Sequence, residues 1–112
     1  MVATKQEITG VVTDFVRKLE AAGSLRVQKV VLYGSYAHGW PHRDSDFDLV
    51  VLSDGFRGTS HLKRIELVAS VTYACDHRLE VLAYTPGEYR RAGPATFLGE
   101  VKRTGVVVYE AA

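Results

Sequence analysis

Residues 34–52 read GSYAHGWPHRDSDFDLVVL, an irregular loop followed by an apolar run that opens with two carboxylates, Asp46 and Asp48. Side chains alternate across a strand, so these two project from one face with Cα atoms roughly 6.5 Å apart. Burying either charge without a partner costs several kcal/mol, which calls for a cation. Hard carboxylate oxygens select magnesium, manganese or calcium, and magnesium held by one or two carboxylates takes its other ligands from water and phosphates. A second reading is turn chemistry, with Asp44 or Asp46 accepting backbone amides at the mouth of the strand. What precedes the pair separates the two. Gly34 and Ser35 close the preceding apolar run, and a glycine-opened turn offers free amides and a hydroxyl to a phosphate oxygen. Phosphate-type and metal-type residues on consecutive strands carry more information than either pair alone.

Working outward, VQKVVLY at residues 27–33 is rich in β-branched residues and too short for a good helix, which predicts a buried strand ending at Gly34. Upstream, Thr4 with Glu7 three residues later predicts a helix start. Ile8, Val11, Val12, Phe15, Val16 and Leu19 then follow helical spacing, with Gly23 as the stop. Downstream, Ser60 is expected to cap a helix running to about Ala74, with Leu62, Ile65, Leu67, Val68, Val71 and Thr72 as its apolar side. RLEVLAYT at residues 78–85 predicts a third strand, and VVVYE at the C-terminus a fourth. Pro86 and Pro94 are placed to open short helices between them. Helices alternating with strands predict an α/β (α+β) layer architecture in one domain, residues 1–112.

Composition narrows the partners. Fourteen basic against thirteen acidic residues leave a net charge of +1, so no global field draws in nucleic acid or an anionic membrane. No apolar run approaches the roughly 20 residues of a membrane span, and the N-terminus lacks signal-peptide regions, so a cytoplasmic protein is expected. The single cysteine, Cys75, closes no internal disulfide. His38 and His42 are four apart, but Gly39 and Pro41 between them argue against a helical zinc pair. Cys75 and His77 read as a helix end and not as a thiol nucleophile with its base.

The central stretch resembles the minimal nucleotidyltransferases of the DNA polymerase β-like superfamily, whose hallmark is Gly-Ser, about ten residues, then Asp-x-Asp leading an apolar strand. Gly34 and Ser35, the ten residues 36–45, and Asp46, Phe47 and Asp48 match it. The resemblance implies a small mixed sheet flanked by helices. It also implies magnesium ligation by Asp46 and Asp48, a third catalytic and metal-binding carboxylate in Glu80, and a triphosphate-binding turn at Gly34 and Ser35. Two magnesium ions and ATP follow as cofactor and donor. Nothing in the sequence is left over after this core to hold an acceptor, so a separate chain is expected to bring it. By resemblance that chain is a small helical HEPN-type toxin, and the reaction is transfer of AMP to one of its tyrosines by an antitoxin. Many relatives carry arginine where His38 stands, with Arg43 the available substitute here. That departure keeps open a binding module that neutralises a partner by contact. A homodimeric enzyme acting on a small molecule is the other alternative. Tyr89, Trp40 and Phe97 are candidates for a partner surface or for the core.

Overall fold

The computed structural model describes residues 3–37 and 46–112. His38, Trp40, His42, Arg43, Asp44 and Ser45 lie outside the described residues, so the readings placed on them are carried no further. The element order is α1 (Lys5–Gly23), β1 (Lys29–Tyr33), β2 (Phe47–Leu52), a 3-10 turn (Asp54–Phe56), α2 (His61–Cys75), β3 (Leu79–Tyr84), α3 (Pro86–Arg91), α4 (Phe97–Thr104) and β4 (Val106–Glu110).

Helix starts follow the hydroxyl caps. Thr4, Ser60, Thr85 and Thr96 each accept a hydrogen bond from a backbone amide three residues on. The last differs from the reading above: α4 begins after Thr96, so Pro94 stands outside it. Helix α1 closes one residue beyond the expected geometry, with Ser24 and not Gly23 in the left-handed conformation at φ 50°.

The strands form one mixed sheet in the order β3-β2-β1-β4. β1 is antiparallel to both β2 and β4, and β2 is parallel to β3, with α2 as the crossover. Alternation then sorts the side chains. Val30 and Leu32, Phe47, Leu49 and Val51, and Leu79 and Ala83 are buried in one core with Val12, Phe15, Val16 and Leu19 of α1 and Val68 and Val71 of α2. The opposite face carries Val31, Val50 and Leu52 in a smaller core against Leu98 and Val101 of α4, with Tyr33, Tyr84 and Tyr89 packed around it. Tyr89 is thereby a core-edge residue.

Helix α2 corrects one expectation. Leu62 and Ile65, predicted inward, are 64% and 60% exposed, while Arg64 is buried. The Arg64 guanidinium donates to the carbonyls of Thr59, Phe56 and Ala83 and to Glu88 Oε1 at 2.7 Å, tying α2 to the 3-10 turn, β3 and α3. These bonds use four of the five N–H donors of the fork, and this satisfaction is what makes burial of a full charge tolerable. They rotate α2 so that Leu62 and Ile65 turn outward.

Candidate functional site

On the smaller-core face of the sheet, α3 and α4 cover only part of the surface, and three side chains line up across the uncovered part. Tyr33 on β1 pairs with Asp48 on β2, and Asp48 pairs with Glu80 on β3. Partners in register point to the same side. The two carboxylates are therefore neighbours although 32 residues separate them. Asp46 precedes the first residue of β2 and is exposed. Phe47 between them is fully buried, gripped edge-to-face by Tyr36 at 5.0 Å and covered by the Arg78 guanidinium at 4.6 Å. That anchor fixes which way the flanking aspartates point.

The electrostatics are those of a site short of positive charge. Asp48 is pushed up to about 6, first by burial, then by Glu80, then by Asp46. Tyr33 is raised to about 12 by burial and by the negative charge of Asp48 and Glu80. Among the described residues, no Lys or Arg pairs with Asp46, Asp48 or Glu80, whereas Asp14, Asp76 and Glu88 all have basic partners. The donor set suits a hard divalent cation. Asp46 is near enough to repel Asp48. Even so, no three of the described His, Cys, Asp and Glu side chains are gathered into an ion-holding cluster.

Gly34 joins the two halves of the sequence motif. Its φ is +78°, a conformation that glycine alone adopts without strain, and a Cβ at this position would collide with Asp48 Oδ2. The turn that begins there, with Ser35 partly exposed, thus leans directly on the Asp48 carboxylate. Gly34, Ser35, Asp48 and Glu80 are brought to one end of the sheet, with Asp46 at its margin. Tyr33 was missed in the sequence because it reads as the last residue of an apolar strand. Its phase, two residues from inward-facing Val31 and beside Gly34, was the available signal.

Two other candidates separate from this site. The Cys75 thiol donates to Asp14 Oδ2 at 3.3 Å at the end of α2 and is pushed up to about 11 by burial and that carboxylate, which disfavours the thiolate. Asp76 caps the same helix end and holds Arg78, which puts Cys75 and Asp76 to structural use. Among the described residues no helix is long and apolar enough to cross a membrane.

Solved structures share this architecture. A crystal structure of a "putative nucleotidyltransferase" from Sulfolobus solfataricus aligns over 95% of this chain and 83% of its own, with a TM-score of 0.69 at 15% identity. A toxin-antitoxin crystal structure with AMP-PNP aligns over 92% of this chain and 73% of its own, with a TM-score of 0.61 at 22% identity. At these identities the likeness is one of fold. In sequence, the chain is 26% identical over 102 residues to the "Putative protein adenylyltransferase MJ0141" of Methanocaldococcus jannaschii, covering 91% of this chain and 99% of that one. The family model described as the nucleotidyltransferase domain matches residues 12–102, from α1 through α4 and across the whole Gly34 to Glu80 site. The chain belongs to the nucleotidyltransferase domain family.

Proposed function

We propose that this protein transfers AMP from ATP to a hydroxyl on a separate protein chain, and that the acceptor is a tyrosine of a small helical HEPN-type toxin which the transfer silences. The observation that carries the reading is the Asp48 and Glu80 pair set in register beside the Gly34 turn. The name of the Methanocaldococcus relative supports a protein acceptor, and the toxin-antitoxin neighbour with AMP-PNP supports an adenine nucleotide and a toxin partner.

In this reading the acceptor oxygen forms a bond to the α-phosphorus, and the bond from that phosphorus to the bridging oxygen breaks. Pyrophosphate leaves with the electron pair. The acceptor proton passes to Glu80. Asp46, Asp48 and Glu80 would hold magnesium, two ions in all, which when bound supplies the positive charge that the developing phosphoryl oxygens need. Ser35 and the amides after Gly34 would hold the outer phosphates, so the chain's work is positioning more than covalent chemistry. The protein would act in the cytoplasm, where nucleotide and toxin are both present.

The test is intact-mass spectrometry of the protein with its genomic-neighbour partner, ATP and magnesium, alongside Asp46→Asn/Asp48→Asn. An AMP-sized increment on the partner, absent with the variant, is expected. An unmodified partner that binds both versions equally would replace this reading with neutralisation by contact.

A further inference from the structure

Phe97 is the first residue of α4 and is 46% exposed, although the rest of that helix is anchored by buried Leu98 and Val101. Its ring meets Tyr33 edge-to-face, with centroids 5.2 Å apart and planes at 81°. It is not a loose surface residue. Thr96 fixes the helix start, accepting from the Gly99 amide at 3.1 Å and donating to the Gly93 carbonyl at 2.7 Å. Gly99 in turn lies so close to the Gly93 and Pro94 backbone that a Cβ has no room. A half-bare aromatic ring at a fixed helix start therefore stands against Tyr33, the residue paired with Asp48.

The two ends of the row formed by Glu80, Asp48 and Tyr33 differ. Beyond Glu80 the sheet ends at β3, its edge strand, leaving that side open. Against Tyr33, the in-register neighbour of Asp48, stands the Phe97 ring. If Glu80 serves the acceptor, the donor's nucleoside extends the opposite way, toward the aromatic end.

We propose that Phe97, backed by Tyr33, is the stacking surface for the nucleobase of the donor triphosphate. The assignment rests on the nucleotidyl-transfer reading above and adds to it where the base lies. Stacking reads the π-face and not the hydrogen-bonding edge, so ATP and GTP should depend on it alike.

The experiment is calorimetric titration of the full-length protein with magnesium-ATP, magnesium-GTP and inorganic tripolyphosphate, which has no base. Phe97→Ala and Phe97→Leu are expected to weaken both nucleotides about tenfold and leave tripolyphosphate unchanged, while Phe97→Trp retains nucleotide affinity. Because Leu keeps the apolar contact with Tyr33, its loss separates stacking from packing. Equal weakening of tripolyphosphate would overturn the assignment in favour of a structural role. Unchanged nucleotide binding with lost partner modification would overturn it in favour of acceptor docking. If the wild type binds tripolyphosphate but no nucleotide more tightly, the base has no platform and the assignment alone fails. If it binds none of the three, the nucleotidyl-transfer reading fails as well.

Discussion

The two faces of the sheet are built from the same strands and put to opposite uses. The face toward α1 and α2 is closed: Phe15, Leu19, Val30, Leu49 and Val51 are buried among apolar neighbours. The face toward α3 and α4 is covered over one part, and on the rest it sets two carboxylates side by side without a basic partner among the described residues. Stability is concentrated on the first face, and unrelieved charge is kept on the second. The β2 strand serves both, one residue after another, and alternation alone divides the labour.

The comparison breaks most visibly if a change on the open face leaves chemistry intact. Asp48→Asn is expected to lower the rate of partner modification by about 10³-fold or more, read by the intact-mass time course, while the protein stays folded. On the closed face the pattern reverses. Phe15→Ala is expected to cost about 3–5 kcal/mol in urea unfolding, a large share of the stability of a domain this size. Arg64→Ala should also act on stability, by about 3 kcal/mol, because it strands Glu88 and three carbonyls. Glu88→Gln, which keeps a hydrogen bond to Arg64, should cost less.

The pH dependence is the smallest effect and the sharpest test of the comparison. Asp48 holds its proton up to about pH 6 in the folded protein, against an ordinary value of 3.8, so the folded state binds more protons than the unfolded one between these limits. Its contribution is present below about pH 4 and is lost as pH rises through 6. Asp14 and Asp76 are held below their usual range by basic neighbours, and Glu88 by Arg64 and Thr85 against the effect of its burial, so all three act in the opposite sense at lower pH. Without added metal, the melting temperature of Asp48→Asn should gain on the wild type by about 3 °C between pH 4 and 7, a figure discounted for the solvent around Asp48. Magnesium added to the wild type at pH 7 should narrow the gap. A flat difference across that range would mean that the pair is not strained.

Local signals in the sequence were sufficient for most of the elements and for four residues of the candidate site. Thr4 and Ser60 announce their helices because a hydroxyl cap is a contact within three residues. Asp46, Asp48, Gly34 and Ser35 are legible because their chemistry is unusual for a strand and its turn. Glu80 is different: nothing within its own strand marks it, and its neighbour Asp48 is set by a parallel pairing that closes only through α2. It was reached through the resemblance to a family. The misreading of Leu62 and Ile65 has a similar origin. Helical spacing on α2 supports more than one apolar stripe, and the choice is made by Arg64 finding partners on three other elements. Tyr33 was hidden by composition, since a tyrosine ending an apolar strand resembles any core aromatic until the strand beside it is known.

The missing Cβ of Gly34 has a consequence for how such a site can change over generations. The space it leaves is filled by the Asp48 carboxylate, so one absent atom shapes the turn and seats the acid together. Any replacement at residue 34 strains the turn and displaces the residue 48 carboxylate in the same step. The two positions are therefore coupled, and a change at residue 34 is felt first at the residue 48 carboxylate.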